Sequence, residues 1–174
     1  MDGGNSTLDK KPARECDEVI AKIVAFLASI GIDIAEGSVG ETTFLPGVEI
    51  VAGGLVFDRE RLLFPGDLLH EAGHIAVRDG AARANMSGNV LKDQPERNGE
   101  EIVALLWSYA ASLAANIAPE IVFHESGYRG ERDWILGNFK SGQHVGLPLL
   151  AWMGLAKRPG EIDGFPRMLK WLRD

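Results

Sequence analysis

The sequence predicts an α+β domain: a small early β-sheet built on a hairpin, then a helical core that carries the chemistry. Three stretches support this reading. "VEIVAGGLVFD" (48–58) places two β-favouring runs around a Gly-Gly turn. "LLHEAGHIAVRDG" (68–80) and "GEEIVALLWSYAASLAANI" (99–117) are longer apolar segments of helical length. At 174 residues the chain suits one domain with a sizeable core.

Residues 1–13 are polar and rich in Gly, Ser and Lys, and read as a disordered tail ahead of a single domain over 14–174. From Arg14, the apolar positions Val19, Ile20, Ile23, Val24, Leu27 and Ile30 keep helical spacing until Gly31. A turn-rich stretch leads to the hairpin, and "RLLF" (61–64) is a candidate third strand closed by Pro65-Gly66. Asp67 is placed to cap a helix that starts at Leu68 and ends near Asp79-Gly80. The segment 81–98 reads as a long polar loop, and the helix 99–117 follows. Shorter helices are expected at 131–139, 147–155 and 165–172. The four tryptophans, Trp107, Trp134, Trp152 and Trp171, read as core or interface packing.

Composition excludes several classes of function. A net charge of −7 disfavours nucleic acid and anionic membranes as partners. One cysteine, Cys16, permits no intramolecular disulfide, which suits a reducing compartment. The N-terminal residues lack the apolar stretch of a signal peptide, and the apolar run 19–32 is too short to span a bilayer. The expectation is a soluble, cytoplasmic protein.

The chemistry lies in His70-Glu71-Ala72-Gly73-His74. Two histidines four apart project from one helix face and can reach one metal ion. Glu71, about 100° round from His70, is better placed to touch a water on that ion than to bind it. This is the HExxH pattern, which chance puts in about one chain in a hundred or fewer with four histidines. The plain alternative, a surface helix with stray histidines, fits poorly because the helix is apolar nearly all round.

A hydrolytic zinc site needs a third protein ligand. The extended HExxHxxGxxH form fails, since Val77 and Gly80 occupy the positions it requires. Asp79 is about 140° round the helix from His74 and converges only if the helix has ended. Glu100 and Glu101 are better placed, at the start of the next long helix, although the helix dipole alone also favours acids there.

On these residues the chain resembles the HExxH zincins of the gluzincin kind, and more narrowly the ImmA/IrrE-type metallopeptidases. In those a hairpin leads into HExxH, and a helix reading approximately E-x-x-A-x-x-F-A supplies the third ligand. Here "EIVALLWS" puts Glu101, Ala104, Trp107 and Ser108 at those positions, with Trp for Phe and Ser for Ala. The resemblance covers about residues 48–118. It implies a zincin-like core with zinc held by His70, His74 and Glu101, with Glu100 in reserve, and Glu71 as general base of a hydrolase. It also implies a peptide or protein substrate, including a regulatory protein. Small side chains at Ala104 and Ser108 would let the two helices approach closely behind the metal. His124, Tyr128 and His144 are candidate donors to an oxyanion, with His144 the first choice for its loop-like setting "SGQHVGLP". The rival from another class is a non-catalytic regulatory or binding protein on the same fold.

Overall fold

The two β-favouring runs pair as expected. β2 (Val48–Val51) and β3 (Gly54–Phe57) form an antiparallel hairpin in register Val48↔Phe57 and Val51↔Gly54. Ala52 and Gly53 both take positive φ, 49° and 78°, the two-residue turn whose twist matches that of paired strands. The computed structural model describes residues 10–41, 43–88 and 98–174, and the expectations for 1–9 and for 89–97 lie outside them.

Among the described residues the architecture is α+β, with seven α-helices and one three-stranded sheet of order β1-β3-β2. The third strand is β1 (Ile34–Glu36), parallel to β3, and not "RLLF". The amides of Arg61 and Leu62 bond back to the Asp58 carbonyl at 3.1 and 2.9 Å, so that segment closes a turn instead. β1 eluded the sequence reading because three residues are too few to show alternation.

Helix α1 (Lys10–Ser29) starts four residues before the expected Arg14 and buries Ile20, Ile23 and Leu27. The inner face of the sheet contributes Val48, Ile50, Leu55 and Phe57 to the same core. Helix α2 (Asp67–Val77) is buried at every residue, in contact with α1 and the sheet as well as with α4 (Asn98–Ala114). That central position explains why its sequence is apolar nearly all round.

A short helix α3 (Gly80–Arg83) opens the expected loop, capped by Asp79, whose Oδ1 accepts from the Ala82 amide at 2.9 Å. Helix α5 (Pro119–Val122) and a 3₁₀ turn (Tyr128–Gly130) follow α4, and neither was expected from periodicity. Helices α6 (Arg132–Lys140) and α7 (Leu147–Trp152) fall close to the expected segments.

The expected helix at 165–172 is absent. Its backbone is taken by long-range bonds: the Leu169 amide donates to Leu155 O at 2.8 Å, and Met168 bridges Ala156. This tail then crosses the end of α2, where the Arg173 amide donates to the Ala76 carbonyl at 2.9 Å. An orphan carbonyl of the motif helix is thereby satisfied from the far end of the chain. No described helix is long and apolar enough to cross a membrane.

Candidate metal centre

Helix α2 sets His70 and His74 one turn apart, and α4 brings Glu101 against them. The two Nε2 atoms are 3.3 Å apart, with the rings nearly perpendicular at 85°. Glu101 offers Oε2 at 3.2 Å from His74 Nε2 and Oε1 at 3.7 Å from His70 Nε2. These three residues form a group able to hold a metal ion. The donor set fits such an ion: metal bonds of about 2.0–2.1 Å in a tetrahedron separate the ligand atoms by roughly 3.3–3.4 Å.

The close approach of the two helices depends on small residues. A Cβ on Gly73 would lie 2.8 Å from the Ala104 carbonyl oxygen and 3.0 Å from Ser108 Oγ. Ser108 shares its hydroxyl proton between the carbonyls of Ala104, at 2.7 Å, and Leu69, at 3.1 Å. Helix α4 is thus stitched to the helix that carries both histidines.

Glu100 takes a different part from its neighbour. Its Oε1 lies 3.5 Å from His74 Nδ1, the ring nitrogen facing away from Glu101, and its Oε2 lies 2.7 Å from Arg78 Nε. Both are ion-pair contacts rather than aligned hydrogen bonds, because His74 Nδ1, Glu100 Oε1 and Arg78 Nε lack bonding geometry to any partner. The Arg78 and Glu100 side chains are each only 12 % exposed, so little water weakens the contact. A carboxylate beside the far ring nitrogen favours a proton on that nitrogen and leaves His74 Nε2 free to face the cluster.

Electrostatics separate the two histidines. Burial, with His74 beside it, pushes His70 down to about 4. Burial also opposes charge on His74, but Glu100 and Glu101 outweigh it and lift the imidazole to about 9. Glu101 stays below the usual carboxylate range despite burial, because His74 and His70 favour its charge. Glu71 is lifted to about 7, chiefly by burial, with His74 opposing and Asp67 and Glu101 adding to the rise.

His70 and Glu101 open onto a cleft of about 560 Å³ whose apolar wall includes Phe44, Phe64, Leu105 and Ile135. Glu71 is 8 % exposed and lies off the described lining. Asp67 does not cap α2. The capping position is Gly66, and Asp67 turns its Oδ1 to His124 Nε2, 3.0 Å away. The His124 ring stacks flat on Phe64, 3.7 Å between centroids, so the Asp67–His124 pair forms one wall of the cleft. Nothing in the local sequence signals this pair, because His124 arrives from 57 residues downstream.

Tyr128 also lines the cleft, its ring edge-on to His70 at 6.1 Å. Its hydroxyl donates to the Val122 carbonyl at 3.2 Å, and burial raises the phenol so that the proton stays on. His144 lies elsewhere. Its Nε2 meets the Phe139 carbonyl at 3.1 Å and its ring packs edge-on against Phe165, away from the cleft lining. Compared with family models, curated proteins and solved structures, the chain matches none of them.

Proposed function

We propose that this chain is a zinc-dependent metallopeptidase of zincin type, resembling the ImmA/IrrE-type enzymes, that hydrolyses a peptide bond in a protein substrate in the cytoplasm. The observation that carries the proposal is the convergence of His70, His74 and Glu101 at one edge of an apolar cleft. Two imidazoles and one carboxylate suit zinc and leave a fourth position open. Bound there, zinc would polarise a carbonyl and make an adjacent water more acidic.

The residues of the chain supply the rest. Glu71 takes the proton of the attacking water and passes it to the leaving amine, a role that its place between the two histidines on α2 supports. Tyr128 and the His124–Asp67 pair line the same cleft, and Tyr128 would serve the oxygen that gains charge only by exchanging its bond to the Val122 carbonyl for one to that oxygen. Glu100 and Arg78 hold His74 from behind. The apolar wall orients the substrate by its side chains.

One observation favours the rival, a non-catalytic binding protein: Glu71 is almost fully buried and lies off the cleft lining. The Glu71→Gln variant decides between them. It keeps shape and hydrogen bonding but accepts no proton, so it should retain metal and melting temperature while cleavage falls at least about a hundredfold. Equal cleavage by both proteins removes Glu71 as base. No cleavage by metal-loaded wild type hands the case to the rival.

A further inference from the structure

Beside the metal cleft lies a second, smaller pocket of about 150 Å³ between α4 and α6. Ile102 and Leu105 form one wall, Trp134 and Phe139 the other, and Val145 closes one end. The two cavities meet at Leu105 and Ile135, which line both. Trp134 is 66 % exposed and Val145 58 %, large apolar groups left in water at the pocket mouth.

This pocket is built rather than incidental. Gly146 has φ +94°, and a Cβ there would sit 2.7 Å from Ile102 Cγ2, so only glycine lets the loop lie flush on α4. His144 anchors the same loop through its contact with the Phe139 carbonyl. Val145, between these two fixed residues, is held as a wall.

We propose that this pocket is a second substrate subsite, which takes one bulky aliphatic or aromatic side chain of the polypeptide held at the metal centre. The proposal rests on the peptidase reading above and adds the substrate class. A cavity of this size with apolar walls holds about one benzene-sized group. Leu105 lies one turn of α4 beyond Glu101, a rise of about 6 Å. Extended peptide rises about 3.3 Å per residue, so the selected side chain falls about two residues from the bond that is cut.

The test is cleavage profiling of the zinc-loaded full chain on a library of synthetic peptides. Kinetics then follow on matched peptides with Phe or Ala at the selected position. Wild type should select a large apolar residue about two positions from the cut and favour the Phe peptide at least about tenfold in kcat/KM. Trp134→Ala should reduce that preference to under about threefold, chiefly through KM. Should Trp134→Ala lower the melting temperature, Val145→Asp at the end of the pocket gives the same reading. Cleavage without remote selection, or a preference these variants retain, overturns the subsite and leaves the peptidase reading standing. No cleavage by wild type overturns both, whereas equal cleavage by Glu71→Gln removes only Glu71 as base.

Discussion

Glu100 and Glu101 are adjacent in sequence and meet the same histidine on opposite ring nitrogens. Their side chains leave the helix about 100° apart, which is what lets one face the ligand cluster while the other stands behind it. Glu101→Gln should therefore abolish stoichiometric zinc binding. Glu100→Gln should keep one zinc per chain but weaken it by roughly ten- to a hundredfold, the usual cost of losing such a support. Competition with a chelator of known affinity measures both, and the reverse ranking would mean that the ligand roles are exchanged. Protonation gives a second prediction at this scale. His74 holds a proton up to about pH 9, whereas His70 is lowered to about 4 and is already neutral. Metal uptake must displace the His74 proton, so between pH 6 and 8 zinc affinity should rise about tenfold per pH unit. A flat profile over that range would show that Glu100 and Glu101 do not hold that proton.

At the scale of elements, what the sequence shows depends on how local its cause is. The hairpin, α2, α4, α6 and α7 follow from turn residues and apolar spacing, and each stands near its expected place. Periodicity left Glu100 and Glu101 both open; the family resemblance favoured Glu101, whose carboxylate lies 3.2 Å from His74 Nε2. Elements fixed by distant partners were not legible. β1 exists because β3 offers it an edge, the 165–172 segment is held extended by Leu155, and Asp67 leaves the capping role for His124. Gly73 tests how closely the two ligand-bearing helices are fitted. In an isolated helix Gly→Ala is stabilising by up to about 1 kcal/mol. Here the added methyl meets the Ala104 carbonyl oxygen at 2.8 Å, backbone that cannot swing aside. Gly73→Ala should thus destabilise by about 1–3 kcal/mol and weaken zinc binding, since α2 and α4 each bring ligands. Thermal melts with and without zinc read this out, and an unchanged or higher melting temperature would show slack between the helices.

For the molecule as a whole, the tail ties the back of the site to the first helix. Trp171 packs edge-on against Phe26 of α1, 4.9 Å between centroids, and against Trp107 of α4 at 5.6 Å. The Trp107 indole donates to the Trp171 carbonyl at 3.0 Å, and two residues on the Arg173 amide caps α2. One short segment therefore joins three helices that share no loop. Removing a large packed aromatic typically costs about 3–5 kcal/mol, with the lower end expected here because Trp171 is only partly buried. Trp171→Ala should consequently lower the melting temperature by about 6–12 °C in a chain of this size. The backbone bond to the Trp107 indole does not require the Trp171 side chain, and among the described residues neither His70 nor His74 of the proposed metal group has a ring contact with Phe26, Trp107 or Trp171. Zinc stoichiometry should therefore stay at about one per chain while stability falls. Calorimetry with and without saturating zinc separates the two quantities. An unchanged melting temperature would show that the tail is an appendage, and a loss of zinc at temperatures where the variant remains folded would show that it holds α2 in register for the metal.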